Sequence, residues 1–303
     1  MELTKETLRQ WWLTTTGETH FTNVLGGLWK REPVEKLATT YNQIKNWTHD
    51  LAQEKVIVKA GGKRDGIYRL VDKAEEEMMW WLGEDIEDSA VNLRLPFGLH
   101  KACYVGRPAV ILVSGDSNAG KTAIVDNIIN LNLDKFPPIA GVNNIKLLMT
   151  EGLDLHKGRM MNAIPKMPIP PPFSTFRKVK NFEDDVLPNG LTAIDFLKPP
   201  NPESLMSIGT PIGAISSKVD TGIVVIAIQK PRGERSEGFG KEITMWDSTL
   251  YMSIHSTETP YESYLKLAKI KKPLIFDRNL YKLKIRFRID LGIRLIELEK
   301  VYE

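Results

Sequence analysis

The sequence predicts an α/β protein with a mostly parallel sheet, preceded by a small helical module. Continuous apolar runs of strand length recur along residues 96–303, as expected for strands buried on both faces. Stretches with helical periodicity separate these runs, and such alternation is typical of a parallel sheet with helices on both faces. Residues 1–72 differ because their helical spacing changes to a period of two, which predicts a separate first domain.

The first domain, residues 1–72, is expected to contain helices and then a hairpin. Thr4 is a good cap for the first helix. The helices are expected over Lys5–Thr15, near Thr22–Trp29, and from Val34 or Thr39 to Gln53. Residues 56–60 and 66–71 then flank a glycine-containing turn, which predicts two antiparallel strands.

Residues 73–95 form an acidic connector with interleaved apolar side chains. This mixture predicts a short helix that packs on one domain, followed by a flexible stretch. The second domain is then expected to span residues 96–303.

In this second domain, strands and helices are expected to alternate. Strands are predicted over 109–115, 145–150, 190–197 and 221–229, and helices over 121–130, 156–163 and 204–219. Residues 165–172 are rich in proline and predict an extended loop. The tail over 263–298 predicts antiparallel strands that extend the sheet.

Composition limits the class of protein. The chain has 303 residues, 42% of them hydrophobic, and a formal net charge of +3. Cys103 is the only cysteine, which excludes a disulfide within the chain and argues against a cysteine-based zinc site. No apolar run is long enough for a membrane span and no secretion signal is recognised, so we expect a cytoplasmic protein without a membrane partner.

The strongest motif is GDSNAGKT, between a predicted strand and a predicted helix. Its residues are Gly115, Asp116, Ser117, Asn118, Ala119, Gly120, Lys121 and Thr122. In this context the pattern indicates a phosphate-binding loop, because glycines let backbone N–H groups surround a phosphate at a helix N-terminus. We expect ATP and Mg²⁺ here, with Lys121 on the phosphates and the Thr122 hydroxyl on the metal.

Three polar residues end or follow apolar runs. Asp195 follows apolar residues in the run 190–197, where a nucleotide-binding fold holds Mg²⁺. Glu151 follows a strand that we expect beside the loop strand, and it could polarise the attacking water. Gln229 ends another run, where a side-chain amide can contact the γ-phosphate. Each could instead be an ordinary polar residue at a strand end.

Two basic regions could act outside this cluster. The glycine-rich segment, residues 230–242, contains Arg232 and Arg235 and has the composition of a mobile loop that contacts nucleic acid. Lys269 and Lys271 could deliver positive charge to the nucleotide of a neighbouring subunit. Arg286 and Arg288 are weaker candidates for that role. A disordered surface loop and a solubilising strand edge are the simpler interpretations.

The motifs GDSNAGKT, MTEG, TAIDFL, VVIAIQK and LKLAKIKK, in this order, resemble the RecA-like ATPases of the DnaB-type helicase and RecA recombinase group, in particular helicase-like ATPases of phages and mobile elements. The resemblance covers about residues 96–290. It implies catalytic roles for Lys121, Glu151 and Gln229, a magnesium role for Thr122 and Asp195, and a role in the neighbouring subunit for Lys269 and Lys271. Helicases of this group often place an arginine there, so the lysines put vigorous strand separation in doubt.

The first domain resembles a winged helix-turn-helix. The resemblance implies that one helix faces the major groove of DNA and that the tip of the hairpin contacts phosphates. The implied residues are Lys45, Asn46 and His49 on the helix and Lys63 and Arg64 at the tip. A winged helix that binds protein is the alternative, favoured by a net charge near zero in this region.

Two functions follow from these expectations. The first is a DNA-dependent ATPase motor with a helicase-like activity, assembled as a homo-oligomeric ring or filament on single-stranded DNA, with duplex DNA as an alternative partner. A RecA-like strand-exchange protein is a variant of this hypothesis. The second is a regulator that ATP switches, such as a loader, a transposition protein or a defence ATPase. A small-molecule kinase is disfavoured because no acceptor-binding signature is found.

Overall fold

The computed structural model describes residues 3–60, 66–71, 93–150, 152–163, 168–201, 203–230, 238, 240 and 242–302. The chain divides into two compact units, Met1–Gly83 and Glu84–Glu303. None of the described helices combines the length and the apolar character that crossing a bilayer requires.

The first unit contains two α-helices and a small antiparallel sheet. In order these are α1 (Lys5–Thr14), β1 (Thr19–His20), a 3₁₀ segment (Phe21–Arg31), α2 (Val34–Gln53), β2 (Ile57–Lys59) and β3 (Ile67–Leu70). The Thr4 side chain caps α1 by accepting a hydrogen bond from the Thr7 N–H, as its residue type predicts. The hairpin prediction is confirmed because β2 pairs antiparallel with β3.

Two features of this unit differ from expectation. Strand β1 pairs with β3 and makes the sheet three-stranded in order β1-β3-β2; two residues are too few for a period to be visible. The expected helix near 22–29 is wrong, since Leu25, Gly26 and Gly27 have φ of 52°, 65° and 71° and interrupt the turns. Left-handed backbone at three successive residues cannot continue a right-handed helix.

The second unit is built on a large sheet. Its first five strands are β4 (Ala109–Gly115), β5 (Ile145–Met149), β6 (Ser174–Arg177), β7 (Leu191–Leu197) and β8 (Ile223–Gln229). The remaining strands are β9 (Leu250–Ser256), β10 (Glu262–Ile270), β11 (Leu283–Asp290) and β12 (Arg294–Tyr302). Within the described residues the order is β12-β11-β10-β9-β4-β8-β7-β5-β6.

Strands β4 to β9 run parallel to one another, and β10, β11 and β12 are antiparallel additions at one edge. The predicted α/β class with a mostly parallel sheet is therefore confirmed. Strands β6 and β9 have no counterpart among the predicted strands. Because β8 and β7 lie between β4 and β5, the expectation that the strand before Glu151 lies beside the loop strand is wrong.

Helices cover both faces of the sheet. They are α3 (Lys121–Leu131), α4 (Leu153–Ala163), α5 (Gly209–Ser216) and the short α6 (Glu242–Trp246). Ile124 and Ile128 of α3 pack in one apolar core, while Ile212 and Ile215 of α5 pack in a second core on the opposite face. Together they bury the strands on both sides, which explains the continuous apolar runs.

The second unit begins before residue 96, at which we expected its domain to start. Leu93 and Leu95 are buried in the larger core of this unit. The Asn132 side chain links this entry segment to the end of α3, since it accepts from the Arg94 N–H at 2.8 Å and donates to the Arg94 carbonyl at 2.8 Å.

Candidate functional site

The predicted phosphate-binding loop, residues 115–122 and called the phosphate loop below, connects the carboxyl end of β4 to the start of α3. Gly120 has a φ of 99°, a conformation that glycine adopts without strain. A Cβ on Gly115 would lie 3.0 Å from Lys121 Cγ and 3.2 Å from Ile254 Cβ, so the loop begins where side chains already crowd the backbone. The first N–H groups of α3 have no carbonyl one turn earlier, and such groups bind phosphate oxygens.

Lys121 is buried and bound at the base of this loop. Its Nζ donates to the carbonyl oxygens of Gly115 at 3.0 Å and Asp116 at 2.7 Å, and to Gln229 Oε1 at 3.3 Å. Burial lowers the pKa of Lys121, and the nearby carboxylates of Asp195 and Asp116 oppose that shift. The ammonium therefore lies where it can exchange backbone oxygens for phosphate oxygens.

Thr122 and Asp195 form the second pair at the loop. The Thr122 hydroxyl donates to Asp195 Oδ2 at 2.8 Å, which brings together the two predicted metal residues. Asp195 is buried, and the peptide bond between it and Phe196 is cis. A hydroxyl and a carboxylate are oxygen donors of the type that Mg²⁺ prefers, and Mg²⁺ commonly takes few protein ligands beside substrate phosphates. The donor set thus fits the expected metal, although no cluster of three or more His, Cys, Asp or Glu side chains occurs among the described residues.

A cavity of about 850 Å³ opens beside these pairs. Its lining joins the phosphate loop to residues from α4 and from the hairpin of β11 and β12. The lining residues are Ser117, Asn118, Gly120, Lys121, Thr122, Ala123, Arg159, Asp195, Phe196, Gln229, Tyr261, Ile289, Asp290, Leu291 and Gly292.

The hairpin turn is fixed against α3 and α4 by side-chain amides. Asn127 Nδ2 donates to the Ile293 carbonyl at 2.8 Å, and Asn162 Nδ2 donates to the Leu291 carbonyl at 3.3 Å. Arg159 of α4 lies near Gly292 and pairs with buried Asp126 at 3.5 Å. These contacts hold the hairpin turn in place as a wall of the cavity, largely apolar but with the Asp290 carboxyl in it.

Sequence reasoning missed this wall and its neighbours. Arg159, Tyr261 and the hairpin turn lie far from the phosphate loop in sequence and outside the other motifs, and only the tertiary fold brings them to the loop. No sequence signal marked Tyr261, because its exposure of 79% and its φ of 63° in the turn between β9 and β10 are visible only in the structure.

The other predicted catalytic residues do not all lie at the phosphate loop. Glu151 lies outside the described residues, but the N–H of its neighbour Thr150 donates to the Asp195 carbonyl at 3.1 Å. Lys269 lies near the end of β10, which pairs with the start of β9. The start of β9 in turn pairs with the amino-terminal half of β4, so Lys269 and Lys271 are at the opposite end of the sheet from the phosphate loop.

The ammonium of Lys269 is engaged within its own chain. It donates to the carbonyl of Met245 and to that of Trp246 at 3.3 Å, and burial together with the charge of Lys271 lowers its pKa. Lys271 is exposed. The weaker candidate Arg286 pairs with Glu262 at 2.7 Å, and Arg288 is exposed.

The residues implied to bind DNA are described only in part. Lys45, Asn46 and His49 are exposed on α2, where the His49 ring lies 3.0 Å from Gln53 Nε2. Lys63, Arg64, Arg232 and Arg235 lie outside the described residues.

Comparison with known proteins gives a likeness in structure alone. No family model matches the chain, and no curated protein matches its sequence. Among solved structures, the RadB recombinase is similar, with 14% identity and a TM-score of 0.46 over 64% of this chain and 92% of its own.

Two further solved structures are similar to the same extent. One is an ATPase domain that is 12% identical with a TM-score of 0.45, covering 64% of this chain and 86% of its own. The other is a KaiC-like protein, PH0186 from the hyperthermophilic archaeon Pyrococcus horikoshii OT3. It is 13% identical with a TM-score of 0.44, covering 69% of this chain and 98% of its own. At these identities and TM-scores the chemistry of this chain has to be inferred from its own site.

Proposed function

We propose that this protein is an ATPase motor of the RecA-like group that acts on DNA as a homo-oligomer. One observation carries the proposal: neighbouring residues of the phosphate loop reach the ends of two other strands. Lys121 donates to Gln229 on β8, and Thr122 donates to Asp195 on β7. A lysine, a hydroxyl, a carboxylate and an amide at one loop are the groups that phosphoryl transfer from ATP requires.

The cavity supports a nucleoside triphosphate as the ligand. Its polar lining includes the phosphate loop with Lys121 and Asp195, together with Arg159, Gln229 and Asp290. Its apolar lining includes Tyr261, Ile289 and Leu291. An aromatic and aliphatic wall fits the faces of a purine base, while the loop fits the phosphates. ATP is therefore the proposed ligand, with the base towards the hairpin turn.

Thr122 and Asp195 are the proposed magnesium residues. When bound there, Mg²⁺ would neutralise phosphate charge during hydrolysis. Glu151 is the proposed general base. Its support comes from Thr150, whose hydrogen bond to Asp195 fixes the end of that strand beside the metal residues. Gln229 is the proposed sensor of the γ-phosphate, because it already contacts Lys121.

Lys269 and Lys271 are proposed to serve the site of a neighbouring subunit. Their location at the opposite end of the sheet favours action in a partner over action in the same chain. A ring or a filament satisfies this requirement equally. In this proposal Lys271 is the better candidate, since Lys269 already donates to two carbonyl groups.

DNA is proposed to contact the glycine-rich segment after Gln229, with Arg232 and Arg235, and the N-terminal domain. The exposed Lys45, Asn46 and His49 support α2 as the recognition helix of a winged helix-turn-helix, with Lys63 and Arg64 contributing phosphate contacts. The segment from residue 73 to the start of the second unit would connect this domain to the ATPase domain, since Leu93 and Leu95 already pack in the core of that unit.

The test is ATP turnover by the full chain with and without single-stranded DNA. We expect DNA to stimulate turnover, and Lys121→Ala to reduce it about a hundredfold or more, since a charge at the reacting phosphates is lost. Lys218→Met, which changes an exposed lysine remote from the loop, is the matched control. Wild-type turnover in Lys121→Ala would remove the ATPase assignment.

A switch function is the second candidate. The exposed polar face of α2 in a separate compact unit supports recognition of a duplex site or a protein. Slow turnover with ATP-dependent assembly on duplex DNA, observed by electron microscopy, would favour the switch over the motor.

A further inference from the structure

Lys230 is a buried lysine directly beside the phosphate loop. It follows Gln229 at the end of β8 and is 1% exposed. Its backbone N–H donates to the Gly115 carbonyl at 3.1 Å, which joins the end of β8 to the first residue of the loop. Burying an ammonium costs free energy unless charged or polar partners compensate it. The groups around Lys230 therefore indicate what its side chain does.

Among the described residues, Lys230 has partners in the loop and in β9. Its Nζ lies 2.5 Å from His255 Nδ1 and 3.7 Å from Asp116 Oδ2. The same carboxylate oxygen accepts from the Ser256 N–H at 3.2 Å and from its hydroxyl at 3.4 Å. Residues on both neighbours of β4 therefore hold the carboxylate of Asp116.

With Lys230 as an ammonium beside the Asp116 carboxylate, the state of His255 follows. An ammonium can only donate, so Nδ1 of His255 accepts and its Nε2–H donates to Ser253 Oγ at 3.1 Å. The ring stacks on Tyr264, with centroids 4.6 Å apart. His255 is thus a neutral acceptor, and Lys230 and Asp116 are the charged pair of this cluster.

Asp116 places a negative charge within the loop that is proposed to receive a polyanion. Like charges repel more strongly near a protein interior than in water, so an uncompensated Asp116 would oppose phosphate binding. We propose that Lys230 is a positioning residue that neutralises and holds Asp116, so that the phosphate loop accepts a nucleoside triphosphate. The inference rests on the proposed function, and Lys230 acts through Asp116 without contacting the nucleotide.

The experiment is a double-mutant cycle in the full chain, with Mg·ATP affinity measured by calorimetry. Lys230→Met removes the charge and keeps the length of the side chain. We expect it to weaken binding about ten- to a hundredfold. In the Asp116→Asn background, where no carboxylate remains to be neutralised, we expect the same change to cost about threefold or less. Lys218→Met again controls for loss of a positive charge elsewhere.

The outcomes separate the two proposals. Wild-type chain that fails to bind Mg·ATP would remove both. If the wild-type chain binds Mg·ATP but Lys230→Met weakens binding equally in both backgrounds, or not at all, only the role of Lys230 is overturned. A Lys230→Met variant with a lower melting temperature but unchanged Mg·ATP affinity would also overturn only that role.

If Lys230→Met does not fold, the Mg·ATP affinity of Asp116→Asn alone tests the role of Lys230. Its side-chain oxygen can still accept from Ser256, and Lys230 remains, so we expect Mg·ATP to bind at least as tightly as in wild type. Weaker binding would contradict the proposal.

Discussion

The Thr122 hydroxyl donates to Asp195 Oδ2 at 2.8 Å, although the two residues are separated by 73 positions in sequence. The two side chains meet because β4 and β7 are parallel, so the carboxyl end of β7 lies on the same side of the sheet as the loop that follows β4. The pair defines where a metal would sit relative to the phosphate loop, and it is the first target for mutation.

Asp195→Asn should weaken the response of ATP hydrolysis to Mg²⁺. The amide oxygen can still accept from Thr122, so the fold should survive, but the charge that attracts the metal is lost. We expect the Mg²⁺ concentration for half-maximal activity to rise about ten- to a hundredfold. A magnesium titration measures this, with Asp220→Asn in an exposed loop as the control. An unchanged titration would move the metal elsewhere.

Gly120→Ala should damage the loop and the second unit together. Gly120 has a φ of 99°, and an added Cβ would lie 2.3 Å from Ile289 Cδ1. Because the Ile289 side chain can shift, the main cost is the strain of placing alanine at a positive φ. We expect a loss of about 1–3 kcal/mol in the free energy of unfolding. Denaturant unfolding measures the loss.

Gly213→Ala is the matched control for that change. Gly213 lies within α5, and an added Cβ there would meet only Asp247 Oδ2 at an ordinary 3.7 Å. Alanine is the better helix former, so we expect a gain of about 0.5–1 kcal/mol. Equal losses in both variants would show that backbone conformation is not what Gly120 supplies.

Stability should fall with acid because of His255. Burial and the charge of Lys230 lower the pKa of His255 from 6.5 to about 4. Above 6.5 the ring is neutral in both states. As the pH falls from 6.5 towards 4 the unfolded chain binds a proton that the folded chain excludes, so up to roughly 3 kcal/mol of stability is lost.

Denaturant unfolding at several pH values checks this loss against His255→Asn. The asparagine oxygen can accept from Lys230 in place of Nδ1 but does not titrate. The variant should lose less stability over the same pH range. Identical pH dependence in the two proteins would assign the acid sensitivity to other groups.

Cys103 should resist thiol reagents in the native chain. It is buried, its Sγ donates to the Leu99 carbonyl at 3.3 Å, and burial raises its pKa to about 12. Since the thiolate is the reactive form, labelling should require unfolding of the second unit. The reaction rate measured against denaturant concentration should follow the unfolding transition, and rapid native labelling would contradict the burial.

Local pattern predicts most of the second unit because each buried strand carries its own apolar run. The predicted bounds of β4 match the observed ones, and the starts or ends of β5, β7 and β8 differ by one or two residues. Strand β9 escapes prediction because its run, LYMSIHS, mixes polar residues that face the Lys230 cluster. Strand β6 escapes prediction because it has only four residues and follows a proline-rich stretch that predicts a loop.

The order of the strands is beyond local pattern. Apolar runs identify strands but not their neighbours, which is why the predicted placement of β5 beside β4 is wrong. For the same reason the apolar wall of the cavity, from Tyr261 to the hairpin turn, is not predictable from the motifs.

By itself the sequence predicted the phosphate loop, since its glycines, Lys121 and Thr122 lie together in one segment of eight residues. It also determined the α/β class, because strands buried on both faces leave continuous apolar runs separated by stretches of helical periodicity. Only the tertiary structure decided which distant side chains contact the loop residues: it joined Asp195 to Thr122, Gln229 to Lys121 and Lys230 to Asp116. Those contacts depend on strand order, and strand order results from packing of the whole chain.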